Sequence, residues 1–206
     1  MSMVQSRIYL ASQSPRRREL LKQIGVSFDL LILRNDTFRG LDVDETPHPD
    51  EPPEDYVRRL CGEKAATGYA MLRYRHLQIA PVLAADTAVV LDDQILGKPE
   101  SPAHAREMLL SLSGREHQVL TAVAMAMGEH VEMTVSTSTV RFITLDEERI
   151  RRYLFSNEYK DKAGSYGIQG LAGAFVENIS GSYSGVVGLP LCETVALLRK
   201  FNVPTP

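Results

Sequence analysis

Cysteine is scarce in this chain, with only Cys61 and Cys192 among 206 residues. Two thiols are too few for a disulfide framework or a cysteine-built zinc site, so the sequence predicts a reducing, cytoplasmic setting. No apolar run approaches the roughly 20 residues that a membrane helix requires. Met1 to Ser14 holds no basic stretch leading into a long hydrophobic one, so neither export nor membrane insertion is expected. Positive charge is not in excess: 23 Lys and Arg stand against 26 Asp and Glu, for a formal net charge of -3 with the signs interspersed. There is thus no basic field to track a nucleic acid backbone, which excludes a polymeric nucleic acid partner. Internal repeats and low-complexity tracts are missing, as are a Walker loop, a G-x-G-x-x-G and a G-x-S-x-G signature. What remains is the composition of an ordinary soluble protein, 44% hydrophobic and 24% charged. The length suffices to bury a sizeable core, and residues 1–206 read as one globular domain.

Local pattern predicts alternating strands and helices in the first part of the chain and hairpins in the middle. Arg7 to Ala11 reads as a strand, followed by a helix with Ser14 as N-cap and Pro15 at its first position, stopped by Gly25. Val26 to Leu33 is a second, apolar strand. Residues Asn35 to Pro53 are acidic and proline-rich, an exposed loop that is a candidate lid. A long helix from Glu54 to about Arg75 carries Val57, Leu60, Cys61, Ala65 and Gly68 on one stripe. Pro81 to Leu91 reads as a buried strand turning at Asp92-Asp93 into Gln94 to Leu96. Ser101-Pro102 opens another helix that Gly114 ends, and His117 to Met127 with His130 to Ile143 forms a long hairpin. Thr144 and Glu147 make a capping box for a helix to about Phe155. A glycine-rich stretch, a strand from Ala174 to Ile179 and a helix opened by Pro190 complete the chain. The expected class is α/β, a mixed sheet flanked by helices.

Several residues break these local rules. Arg16, Arg17 and Arg18 crowd the positive end of a helix dipole, where an anion docked on free N–H groups and guanidinium forks would make sense of them. Snorkelling from a surface helix is the plainer alternative. Ser12 and Ser14 add hydroxyls to that turn. Asp86 lies in an apolar strand, where an unpaired carboxylate costs several kcal/mol, so a cation, a metal or a catalytic task is implied unless backbone amides satisfy it. Lys64 occupies the interior stripe of the long helix. Lys98 and Lys162 stand beside glycines that permit close approach of a ligand. Gly164, Gly167, Gly170 and Gly173 mark either a folded binding loop carrying Tyr166 and Gln169 or a turn-rich connection. The five histidines show no metal-ligand spacing and receive no role. Two carboxylates, Glu45 and Asp86, with three lysines and paired arginines, match the needs of a metal-bound triphosphate.

Taken in order, Leu10-Ala11-Ser12-Gln13-Ser14-Pro15-Arg16-Arg17, Asp44-Glu45, Glu63-Lys64-Ala65, Ala85-Asp86-Thr87, Gly97-Lys98-Pro99, the run from Asp161 to Gly170 and Val187-Gly188-Leu189-Pro190 resemble the Maf family of nucleoside triphosphate pyrophosphatases from Tyr9 to about Phe201. The resemblance implies a two-lobed fold like that of inosine triphosphate pyrophosphatases, a substrate cleft between the lobes, and a homodimer. It implies cleavage between the α and β phosphates with Asp86 as proton acceptor, and Glu45 and Asp86 as ligands of Mg²⁺ or Mn²⁺. Ser12, Arg16, Arg17, Lys64, Lys98 and Lys162 would bind the phosphates. Arg16, Thr87 and Gln169 match the base-selecting set of the branch acting on dTTP and UTP. The stretch from Arg34 to Asp55 is longer and more acidic than the family pattern, which makes Asp42, Asp44 and Glu51 alternatives to Glu45. A nucleotide-binding regulator of cell division and septum formation is the rival function, and it would not need Asp86.

Overall fold

A computed structural model describes residues 7–33 and 43–205 of the chain. Asp42 and the first part of the acidic loop lie outside the described residues, and 43–52 forms no regular element. Among the described residues seven strands make one mixed sheet: β1 (Ile8–Leu10), β2 (Phe28–Leu30), β3 (Val82–Leu91), β4 (Gln94–Leu96), β5 (Glu116–Met127), β6 (His130–Phe142) and β7 (Val176–Ser180). Their order is β2-β1-β3-β5-β6-β7, with β4 paired to β3. The first three in that order run parallel, and β3, β5, β6 and β7 alternate in direction. This is the mixed α/β sheet expected from the pattern.

Among the described residues six α-helices flank it: α1 (Pro15–Gln23), α2 (Pro53–Tyr74), α3 (Pro102–Leu112), α4 (Glu147–Phe155), α5 (Tyr183–Val187) and α6 (Leu191–Lys200). Ser14 caps α1, its Oγ accepting the Arg17 N–H, and Ser101 caps α3 through the His104 N–H. Gly25 and Gly114 take φ of +68° and +67° just past the ends of α1 and α3, a conformation in which other residues are strained.

Alternation along β3 decides what each helix covers. Even-numbered Val82, Ala84, Ala88 and Val90 pack on one face with Val57, Cys61 and Ala65 of α2. Odd-numbered Leu83 and Ala85 pack on the opposite face with Leu20 and Leu21 of α1 and Leu197 and Leu198 of α6. A third cluster joins Val89 and Leu91 to α3, α4 and the aromatic side chains Phe142, Tyr153, Tyr166 and Phe175. Full burial of residues such as Val57, Leu60 and Leu72 stabilises α2 by about 1.5–3 kcal/mol each.

Three sequence-based boundaries are corrected. β2 is not Val26 to Leu33 but three residues, because its partner β1 is itself only three residues long; Leu30 at its end and Ile32 beyond it are 44% and 54% exposed. The N-cap of α4 is Asp146, not Thr144: Leu145 is buried and its N–H donates to Ser113 Oγ at 2.7 Å, which keeps the chain extended through that position. β7 starts at Val176 rather than Ala174, since a 3-10 turn over Leu171–Phe175 carries Ala172 and Phe175 into the core. α5, absent from the sequence-based reading, is a single short element capped by Ser182 between Gly181 and Gly188.

One topological detail positions the site. On one side β3 is paired to β5 without interruption from Val82 to Val90. On its other side it pairs with β1 only at Val82 and Leu83, and with β4 only from Val89 onward. The stretch Ala84 to Ala88 therefore faces a notch where two neighbours end, and the carboxyl end of a parallel strand beside such a switch in pairing is where open α/β sheets place ligands.

Candidate active site

Asp86 stands at the middle of that notch, on the α2 face by the parity of β3. There it meets Lys64, whose Nζ lies 2.6 Å from Asp86 Oδ1 and 2.6 Å from Glu45 Oε1. The Lys64 and Asp86 side chains are 15% and 12% exposed, so their charges interact in a medium far less screening than water. Burial alone would depress the Lys64 ammonium, but Asp86 and Glu45 outweigh it and hold the group above the usual lysine range. Glu45 mirrors this: burial disfavours its ionised form, yet Lys64 and then Lys98 keep it below the usual carboxylate range. Lys98 Nζ is 3.5 Å from Glu45 Oε2 and largely exposed.

Among the described acidic residues of the preceding loop, Glu45 is the one that reaches Lys64. Asp44 turns back to accept the Thr46 N–H, and Glu51 is taken up by Arg59, at 2.6 and 2.7 Å. Tyr56 ties this loop to α2 by donating to the Glu45 carbonyl at 3.0 Å. Burial, and then the nearby Asp86 and Glu45 charges, push its phenol up to about 12. Beneath Lys64, Cys61 donates to the Ala84 carbonyl, and burial followed by the Asp86 charge raises its thiol to about 12. That cysteine is a packing residue rather than a nucleophile.

Thr87 points the opposite way, toward the N-terminus of α1. Arg17 converges on it: NH2 donates to Thr87 Oγ1 at 3.1 Å, NH1 to Ser12 Oγ at 3.3 Å, and Nε to the Gly188 carbonyl at 2.8 Å. Burial lowers the Arg17 pKa, and the Asp86 and Glu45 charges oppose that shift, which places this guanidinium within electrostatic reach of both carboxylates. Arg17 is thus a fixed cation at a helix N-terminus, with guanidinium N–H groups left over for an anion. Arg16 is partly exposed beside it.

Lys162 lies on another loop, within electrostatic reach of Arg16. Its Nζ donates to the Glu158 carbonyl, and burial, then Arg16, lowers its pKa. The Gly164 N–H donates to the Gly97 carbonyl at 3.1 Å, which stitches the Lys162 loop to the Lys98 loop. Gly164 sits at φ +63°, and a Cβ there would lie 2.8 Å from Val89 Cγ1, so only glycine lets this loop lie on β3. Gln169 lies exposed further along the same loop.

Two sets of contacts therefore border the notch, Ser12–Arg17–Thr87 and Asp86–Lys64–Glu45–Lys98, carried on the adjacent residues Thr87 and Asp86 of β3, with Arg16 and Lys162 at electrostatic distance from each other. Residues that the sequence-based reading missed are Thr121, Tyr56 and the Gly188 carbonyl. Thr121, on β5 directly opposite Thr87, is fully buried and bonds to it. None of the three breaks a hydropathy pattern, so no sequence signal marked them.

As a metal site the arrangement is simple. Among the described residues no three His, Cys, Asp or Glu side chains come together. The donors on offer are the two carboxylates of Glu45 and Asp86, hard oxygen ligands brought to one point by Lys64. Such a pair suits Mg²⁺ or Mn²⁺, ions that take one or two carboxylates and complete their shell with water and substrate phosphates. It does not suit soft metals.

A family profile described as "Maf-like protein" matches residues 7–201. A "dTTP/UTP pyrophosphatase" of Nitrosospira multiformis is 56% identical over 200 residues, covering 97% of each chain. One of Nitrosomonas europaea is 54% identical over 95% of each, and one of Aromatoleum aromaticum 53% identical over 99% of this chain and 100% of that one. Among solved structures, the Ham1 protein of Staphylococcus aureus matches at 15% identity and a TM-score of 0.42, covering 66% of this chain and 71% of that one.

Proposed function

Because this chain belongs to the Maf family, we propose that it hydrolyses nucleoside triphosphates, dTTP and UTP foremost, to the monophosphate and pyrophosphate. The observation that supports this best is that adjacent residues of β3 in the sheet notch hold two sets of contacts, Arg17 on Thr87 and Lys64 on Asp86 and Glu45. A buried carboxylate there is ready to take a proton, and cations around it are ready to take phosphate charge.

In this reading water attacks the α phosphorus, its proton passes to Asp86, and the bond from the α phosphorus to the bridging oxygen breaks so that pyrophosphate departs. Ser12, Arg16 and Arg17 hold phosphate oxygens from the N-terminal end of α1, while Lys64, Lys98 and Lys162 approach from α2 and two loops. Glu45 and Asp86 would hold Mg²⁺ or Mn²⁺, which when bound neutralises phosphate charge and acidifies the attacking water. Thr87 and Gln169, with Arg16, face the base and read its polar edge; such readout rejects ligands that leave a buried polar group unpaired. The same reading takes the chain as one domain with the substrate between two lobes, as a homodimer, and as cytoplasmic. No helix among the described residues is long and apolar enough to cross a membrane.

The test is a panel of nucleoside triphosphates assayed with Mg²⁺ or Mn²⁺ for pyrophosphate against orthophosphate. Pyrophosphate release led by dTTP and UTP, abolished by a chelator and restored by added metal, is the expected result. Nucleotide binding without any product would instead favour a regulator, and orthophosphate release would place the cut at the wrong bond.

A further inference from the structure

Glu45 reaches the site from a stretch with little structure of its own. Residues 43–52 form no regular element, and Asp44, Glu45, Thr46, Pro47 and His48 are all exposed. A chain of this kind ordinarily samples many orientations, and a carboxylate carried on it would be in place only part of the time. Two donors from α2 oppose that. The Tyr56 hydroxyl donates to the Glu45 carbonyl at 3.0 Å, and Arg59 Nη2 donates to the next carbonyl, that of Thr46, at 3.1 Å. Pinning consecutive carbonyls fixes both peptide planes on the C-terminal side of Glu45. Pro47 limits the Thr46 backbone further, because a residue before proline is kept out of the helical region.

Arg59 also closes the far end of the loop. Its Nε and Nη2 donate to Glu51 Oε1 and Oε2 at 2.6 and 2.7 Å, and Glu51 Oε2 accepts the His48 N–H at 3.0 Å. One guanidinium thus holds Thr46 and Glu51 at once, a task suited to its fixed fork of donors. Its Cζ lies 5.7 Å from the centre of the Tyr56 ring, so the two side chains brace each other. Both stand on the helix that carries Lys64, which Glu45 meets at 2.6 Å. The placement of carboxylate against ammonium is therefore set within one rigid element.

We propose that Tyr56 and Arg59 are positioning residues for Glu45: by holding the carbonyls of Glu45 and Thr46 against α2, they keep the Glu45 carboxylate at the notch, across Lys64 from Asp86. The proposal rests on the reading of Glu45 as part of the reacting site. A carboxylate already in place needs no ordering when the nucleotide arrives, so the two residues act through preorganisation.

The test is a mutant cycle of Tyr56→Phe and Arg59→Gln, each made in the parent protein and in Glu45→Gln. Tyr56→Phe removes one hydroxyl and leaves the ring. In the parent background kcat/KM for dTTP is expected to fall about 3- to 10-fold in Tyr56→Phe, the range of one hydrogen bond, and about tenfold or more in Arg59→Gln. In the Glu45→Gln background either substitution is expected to change kcat/KM by less than about twofold, because residues that act through Glu45 have nothing left to position. A purely structural role would cost the same factor in both backgrounds. That result, or parental activity in both single variants, overturns the proposal. Amide hydrogen exchange supplies a readout that needs no turnover, and it decides the matter if Glu45→Gln is too slow for the cycle. The Thr46 and His48 amides are expected to exchange several-fold faster in both single variants while those of β3 are unchanged, and unaltered exchange in the loop overturns the proposal. Should Arg59→Gln fail to fold, as circular dichroism would show, Tyr56→Phe carries both measurements. Parental activity in Glu45→Gln would instead remove Glu45 from the reaction, and with it the reading on which the proposal rests.

Discussion

At the scale of single side chains, the candidate site is built from charged groups in places that disfavour them. A carboxylate in an apolar strand, a lysine on the interior stripe of a helix and arginines at the positive end of a dipole each carry a local cost; Lys64 pairs with Asp86, and Arg17 binds the adjacent Thr87. Removing Asp86 tests the chemistry without undoing the fold, because Lys64 keeps Glu45 at 2.6 Å as its counter-ion. In Asp86→Ala, turnover is expected to fall by about 10²- to 10⁴-fold, the range of general-base contributions, with nucleotide affinity retained. Pyrophosphate release and a nucleotide titration by calorimetry check this, and full activity in the variant would end the assignment. Gln169→Glu swaps the amide of an exposed loop residue for a carboxylate, so turnover of dTTP and UTP is expected to drop relative to the other nucleotides in the panel. Neutral groups stayed invisible for the opposite reason. Thr121 suits a β-strand, Tyr56 suits a half-buried helix face, and the Gly188 carbonyl has no side chain, so nothing in the residue pattern set them apart.

Helices and strands were legible wherever punctuation was strong. Ser14-Pro15 and Ser101-Pro102 open α1 and α3 as expected, and the β5–β6 hairpin turns at Gly128. Boundaries failed where a neighbour decided them: the short β1 truncates β2, and burial of Leu145 moves the cap of α4 by two residues. The start of α2 is pinned by Glu51 and Arg59, a paired contact whose Arg59 hydrogen bonds draw the Glu51 carboxyl down to about 2. A group ionising near 2 when folded, against about 4.5 when unfolded, stabilises the folded state in full above about pH 4.5 and loses that contribution as pH falls toward 2. Arg59 remains charged throughout. Thermal melts of Glu51→Gln should therefore lie below those of the parent protein at neutral pH and merge with them near pH 2. A constant offset across the whole range would show that the pair contributes no charge-dependent stability.

The molecule as a whole is one sheet with different cores on its two faces and a third at the far end of β3. Mixed strand direction was readable from the alternation of helix-like and hairpin-like segments. The pairing that leaves β3 bare between β1 and β4 was not, because it depends on where two distant strands stop. At the far end Phe142 is 1% exposed and meets His117, Tyr166 and Phe175 edge-on. Phe142→Ala should cost about 3–5 kcal/mol in urea denaturation, the range for a buried aromatic side chain. It should also loosen the loop bearing Lys162, which Tyr166 anchors. The bare stretch of β3 carries a consequence for motion. Segments before and after it share that strand as common support, so a nucleotide wedged there behaves as a strut between them. Occupancy should slow amide hydrogen exchange in both the turn at Ser12 and the loop at Lys98 together, turning two independently breathing rims into one stiffened frame.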